Sequence, residues 1–100
     1  MSFLNKLSPT HICVAVCIDE ITKRLMIWPL PIVVKTCAFC CGVPMDIVFK
    51  VIKAMENLKL VTRFQFKPHT GESTSETVQY IQRVGEWNLE NVIADLANLL

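Results

Sequence analysis

The chain has 100 residues, of which 52% are hydrophobic and 19% are charged, and its formal net charge is +1. This length allows one domain with a single core and excludes a two-domain enzyme, while the apolar content excludes disorder. Charged residues and prolines interrupt the apolar stretches before they reach the ~20 residues of a membrane-spanning helix. We therefore expect a soluble protein without a membrane partner.

The N-terminus and the cysteines predict a cytoplasmic location. Residues 1–7 are too short and too polar for a secretory signal. Five cysteines are an odd number and are typical of reduced, mostly buried thiols. The spacings Cys13-x3-Cys17 and Cys37-x2-Cys40 leave a zinc site open, but cysteines inside helices more often serve as small apolar residues. We predict neither a metal nor another cofactor.

Start signals, stop signals and apolar periodicity predict four helices. Ser8 before Pro9 caps the first helix, Gly42 supplies a left-handed stop for the second, and Asn88 caps the last. The charged residues that end the first helix, Asp19 among them, are expected in solvent. The predicted helices run from Pro9 to about Lys23, from near Pro31 to Gly42, from Pro44 to Leu58 and from Asn88 to Leu100.

After Leu60 a period of two predicts β structure. Residues 61–67 and 77–84 each alternate between two faces, and the turn-rich residues 68–75 connect them into a hairpin. The stretch Leu25–Pro31 contains two prolines, which forbid continuation of the first helix, and it predicts an extended connection or a short edge strand.

The order of these elements is that of a winged helix-turn-helix domain. From about Thr10 to Val84 the chain resembles the winged-helix domains of phage and plasmid replication proteins and related helix-turn-helix regulators. The matching motifs are Trp28-Pro29, the turn Gly42-Val43-Pro44, the segment at residues 55–61 that leads from the third helix to the hairpin, and Thr74-Ser75 followed by Tyr80. Within residues 55–61, Lys59 replaces the glycine of the family. The predicted fold is mainly α with a β-hairpin, one domain over residues 1–100 with its core in residues 8–84 and a C-terminal helix at 88–100.

The resemblance implies that the third helix enters the major groove of duplex DNA and that the hairpin contacts the backbone or the minor groove. Lysines there would neutralise phosphates, a carboxylate would accept from a cytosine amine, and a phenyl ring would contact a thymine methyl. The expected DNA-binding residues are Lys35, Thr36, Met45, Asp46, Phe49, Lys50, Lys53, Arg63, Lys67 and His69. The implied role is replication initiation or transcription control.

A second interpretation is a winged helix that binds another protein and not DNA, through Met45, Phe49 and the last helix. The near-neutral charge and Asp46 favour this interpretation, since a DNA-binding domain is typically basic. The element order and the Trp28-Pro29 pair favour DNA. An enzyme is not predicted, because the two histidines are far apart in the sequence and no glycine-rich phosphate loop is present.

The apolar stripe of the last helix predicts either a homodimer interface or completion of the domain's own core. We favour the dimer, because symmetric dimers are common and suit palindromic DNA sites. The stripe consists of Leu89, Val92, Ile93, Leu96 and Leu100.

Overall fold

The computed structural model describes residues 7–67 and 77–100. Within them the elements follow in this order: α1 (Pro9–Arg24), β1 (Ile27–Pro29), α2 (Leu30–Cys41), α3 (Met45–Asn57), β2 (Val61–Phe66), β3 (Val78–Arg83) and α4 (Leu89–Leu99). The predicted class, mainly α with a β-hairpin, is confirmed. The predicted hairpin turn at residues 68–75 and the Thr74-Ser75 pair lie outside the described residues.

The helix ends follow the predicted capping residues. The Ser8 hydroxyl oxygen accepts a hydrogen bond of 3.2 Å from the backbone N–H of His11 at the start of α1. The Asn88 side-chain oxygen accepts one of 3.3 Å from the backbone N–H of Asn91 at the start of α4. Gly42 follows α2 with φ 64° and ψ 39°, a left-handed conformation that glycine adopts without steric strain. These start and stop predictions are confirmed.

A three-residue turn, residues 42–44, joins α2 to α3, and the two helices are bent by 119° relative to each other. This angle lies within the range of about 90–120° that is typical of a helix-turn-helix unit. In residues 7–67 and 77–100, no single helix is both long and apolar enough to cross a membrane; α2 and α3 reach that length and composition only as this bent pair.

The strands β1, β2 and β3 form an antiparallel sheet in the order β1-β3-β2. Trp28 of β1 lies opposite Ile81, and Phe64 of β2 lies opposite Tyr80, so β3 is paired on both sides. The Phe64 and Tyr80 rings stack with their centroids 5.6 Å apart. Of the two interpretations of residues 25–31, the structure supports the short edge strand. We refer to the hairpin of β2 and β3 as the wing.

The two wing strands differ in burial. In β3, Ile81 and Arg83 are buried, as alternation predicts for one face of a strand. In β2 only Val61 is buried, whereas Phe64 and Phe66 are exposed. The alternation in β2 therefore does not produce a buried apolar face, because only the first residue of this edge strand reaches the core.

The core combines residues of all four helices of the described ranges with residues of the sheet. Ile18 of α1, Val33 of α2 and Ile52 of α3 are fully buried in one cluster. Val92 and Leu96 of α4 belong to the same cluster and are 3% and 0% exposed. The C-terminal helix thus completes the core of its own domain.

A buried polar cluster connects α1 to β3. Arg83 is 8% exposed and Asp19 is 3% exposed, and Arg83 Nη1 lies 2.8 Å from Asp19 Oδ1. The same nitrogen donates to the Asp19 carbonyl at 3.2 Å and to the Thr22 hydroxyl at 3.1 Å. The Trp87 ring covers the guanidinium at 4.1 Å. The expectation that Asp19 lies in solvent is therefore wrong, because a cation from a distant strand compensates for its burial.

Replacing Asp19 with alanine leaves a buried guanidinium without its counter-ion. We expect Asp19→Ala to lower the free energy of unfolding by about 3 kcal/mol, measured by urea denaturation. Glu20→Ala is the matched control, because Glu20 is the exposed neighbouring acid and its change should cost less than about 0.5 kcal/mol. Equal effects of the two substitutions would contradict a stabilising role for the buried pair.

Lys59, between α3 and β2, has a φ of 64°, a left-handed conformation that is strained for a residue with a Cβ atom. The winged-helix pattern predicted from the sequence has glycine at this position, and glycine adopts a positive φ without steric strain.

We expect Lys59→Gly to raise the free energy of unfolding by about 1 kcal/mol, because glycine removes the strain. Urea denaturation measures this change: the midpoint should rise, and the slope of unfolding free energy against urea concentration should stay unchanged. Lys53→Gly is the matched control, since the same substitution inside α3 should lower stability by about 1 kcal/mol. A decrease for both variants would refute the assignment of strain to Lys59.

Candidate nucleic-acid interface

The helix α3 has a buried apolar side and an exposed polar side. Val48 and Ile52 are fully buried on the first side. Asp46, Lys50 and Lys53 are exposed on the other, where spacings of three and four residues bring their side chains together. Three of the residues predicted to contact DNA therefore share one exposed helix face.

Four lysines of the predicted site have no acidic partner among residues 7–67 and 77–100. Lys50 and Lys53 on α3, Lys35 on α2 and Lys67 after β2 are all exposed. None of them lies within 4 Å of a carboxylate belonging to residues 7–67 or 77–100. Because the positive charge of a free lysine is available to a phosphate, these side chains are the electrostatic part of the candidate interface.

An open cleft of about 500 Å³ lies where α2, α3 and the wing strand β3 meet. Met45 and Phe49, which are 50% and 42% exposed, line it from α3. Lys35 lines it from α2, so the cleft brings together three predicted site residues from two helices. The full lining is Leu30, Pro31, Val34, Lys35, Met45, Phe49, Thr77, Val78 and Gln79.

Six residues of this cleft were not predicted as site residues. Leu30, Pro31 and Val34 belong to α2, and the three wing residues are Thr77, Val78 and Gln79. Their sequence positions alone do not connect them with α3. Only the tertiary arrangement does, because the cleft brings this end of the wing beside Met45 and Phe49 of α3. The alternation of residues 77–84 predicts a strand, but it does not predict how that strand lies relative to α3.

The carboxylate of Asp46 is engaged at the start of its own helix. Its Oδ1 accepts a hydrogen bond of 3.0 Å from the backbone N–H of Ile47. A negative charge in the first turn of a helix is also favourable for the helix dipole. Asp46 therefore stabilises the start of α3, which explains why an acidic residue lies on an otherwise basic face. The same hydrogen bond weakens the prediction that Asp46 contacts a base.

Arg63 of the wing is already paired. Its Nη2 lies 2.7 Å from Glu56 Oε1 at the last turn of α3. Both side chains are partly exposed, so the pair adds little stability, but it neutralises the arginine. Arg63 therefore connects the wing to α3 and does not present a free charge to a phosphate in this structure.

Thr36 lies on the other side of α2 from the cleft. It lines a separate groove of about 270 Å³ between α1, β1 and α2, together with Cys17, Trp28 and Cys40. Only Lys35 reaches the cleft, because consecutive helix residues point about 100° apart, and the DNA contact of Thr36 stays a prediction. The predicted site residue His69 lies outside the described residues.

The predicted dimer stripe of α4 is used mainly within the protomer. Val92 and Leu96 are buried in the domain's own core, so their assignment to a dimer interface is wrong. The other three residues, Leu89, Ile93 and Leu100, are half-buried. Completion of the domain's own core, the alternative interpretation of the stripe, therefore explains the two residues at its centre, Val92 and Leu96.

The part of the chain that the structure describes contains no group of three or more His, Cys, Asp or Glu side chains arranged to hold a metal ion. No protein-family model, curated protein or solved structure matches the chain. The argument for a function therefore depends on the exposed face of α3, the cleft and the wing.

Proposed function

We propose that the protein binds duplex DNA with the exposed face of α3 in the major groove. The observation that carries this proposal is the pair Lys50 and Lys53 on the second helix of a helix-turn-helix unit. Both are exposed, and neither has an acidic partner in the part of the chain that the structure describes. The wing, which flanks α3 across the cleft, is then positioned to lie along the adjacent backbone.

The proposed contacts are mainly electrostatic. If Lys35, Lys50, Lys53 and Lys67 each neutralise one phosphate, log K should fall with log[salt] with a slope of about −3.6. Between about 50 and about 200 mM salt the affinity would then decrease about 100-fold. Met45 and Phe49 contribute apolar surface that suits a thymine methyl group, so sequence discrimination in this proposal comes from a small set of contacts.

The biological role and the assembly belong to the same proposal. The resemblance to winged-helix replication proteins and regulators supports replication initiation or transcription control, in the cytoplasm. Pairing of two copies would use the half-buried Leu89, Ile93 and Leu100 of α4, because the centre of the stripe is occupied by the core. A dimer of this kind would bind two half-sites related by a two-fold axis.

The first prediction of this proposal concerns the two lysines of α3. Lys50→Glu combined with Lys53→Glu should lower the affinity for a labelled duplex about 100-fold at about 50 mM salt, because two attractive charges become repulsive. Fluorescence anisotropy measures the affinity, and the helical circular dichroism signal should stay unchanged because both side chains are exposed.

The control for this double variant is Arg24→Glu combined with Lys59→Glu, which changes the net charge by the same amount outside the exposed face of α3. We expect its affinity to stay within about threefold of the wild type at the same salt, since distant charges are screened. Equal losses in the two double variants would refute the assignment of the contact to α3.

The second prediction concerns the Glu56–Arg63 pair. Glu56→Gln removes the acid that neutralises Arg63, so one more cation becomes available to a phosphate. The slope of log K against log[salt] should become steeper by about 1. Glu90→Gln on α4 makes the same change in net charge and should leave the slope unchanged. An identical slope in both variants would show that Arg63 does not contribute.

The cleft itself supports a second candidate function, a protein-binding module without affinity for DNA. Its lining is mostly apolar, and Met45 and Phe49 remain about half exposed in it. Exposed apolar surface in a concave site is typical of protein interfaces. Absence of DNA binding at tens of micromolar protein and about 50 mM salt would exclude the first candidate and leave this one.

A further inference from the structure

Two cysteine sulfur atoms from different helices are close to bonding distance. Cys13 lies in the second turn of α1, and Cys41 is the last residue of α2. Their Sγ atoms are 2.7 Å apart, which is only about 0.7 Å longer than a disulfide bond of about 2.05 Å. A bond between them therefore requires a small side-chain adjustment and not a rearrangement of the helices.

The two thiols differ in accessibility. Cys13 is exposed, whereas Cys41 is half-buried, and burial raises the pKa of the Cys41 thiol to about 12. The raised pKa keeps the Cys41 thiol protonated, so the exposed Cys13 thiol is the one that meets a dissolved oxidant first. Cys41 takes the second step because its sulfur is already in contact with that of Cys13. Cys41 is the partner of Cys13 because their sulfur atoms are in contact, whereas Cys37 is fully buried.

We propose that Cys13 and Cys41 are an oxidative modification site, at which a peroxide converts the two thiols into a disulfide between α1 and α2. The Cys13 thiolate attacks one peroxide oxygen, the O–O bond breaks, and a sulfenic acid and one water result. The Cys41 sulfur then attacks the sulfenic sulfur, the S–O bond breaks, and the thiol proton leaves with the second water. Two thiols lose two electrons and two protons, and one peroxide is reduced to two waters.

The bridge would restrain the helix-turn-helix unit. It closes a loop from residue 13 to residue 41 that contains β1, and it holds the end of α2 directly before Gly42. Cross-linking reduces the conformational freedom of the unfolded chain, so the oxidised protein should be more heat-stable. For a domain of this size we expect the Tm to rise by about 10 °C or more. This site does not depend on the proposed DNA binding.

The experiment uses the purified full chain, reduced and then treated with hydrogen peroxide. After denaturation and labelling with N-ethylmaleimide, intact-mass spectrometry counts the free thiols. We expect five labels before oxidation and three after it, since the chain has five cysteines. The protein should remain a single chain on a non-reducing gel and show the higher Tm.

Two single variants identify the residues involved. Cys13→Ser should keep all four remaining thiols after peroxide and show no rise in Tm. Cys40→Ser is the matched control, because Cys40 is also exposed, and it should still lose two thiols and gain stability. Five labels in the oxidised wild type, loss of two thiols in Cys13→Ser, or a disulfide-linked dimer through Cys40 would each overturn the proposal.

Discussion

The arrangement of the domain depends on the buried ion pair between Arg83 and Asp19. Arg83 Nη1 reaches the carboxylate, a carbonyl and the Thr22 hydroxyl of α1, while the Arg83 backbone N–H donates to the Met26 carbonyl at 2.8 Å. One residue of the central strand is thereby connected to α1 and to the residue just before β1. Because β3 also forms one wall of the cleft beside α3, a charge pair in the interior determines the position of the wing at the candidate interface.

The formal charge of +1 does not reveal how charge is distributed. Arg83 is neutralised inside the domain by Asp19, and Arg63 and Lys23 are neutralised in surface pairs with Glu56 and Glu20. The four lysines around α3, by contrast, have no acidic partner within the described residues. A domain that is nearly neutral overall can therefore still present a locally positive face, which is the property that phosphate binding requires.

Local signals in the sequence predicted much of this fold, because capping and periodicity act over a few residues. Ser8, Gly42 and Asn88 have the predicted conformations or caps. What could not be predicted depends on contacts between distant segments. The burial of Asp19 requires a cation 64 positions later, and no local pattern indicates it. The same limit applies to the site: the exposed face of α3 follows from helical spacing, whereas the wing residues of the cleft follow only from the tertiary arrangement.

The strand order has a consequence for how the chain folds. The paired strands β1 and β3 are separated in sequence by about half the chain, since Trp28 pairs with Ile81. By contrast, α2 and α3 are neighbours in sequence. Closing a long loop costs more entropy than forming local contacts, so we expect the helices and the wing to form before β1 pairs with β3. During synthesis the sheet therefore cannot be completed until β3 has left the ribosome, and until then β1 and β2 have no central strand to pair with.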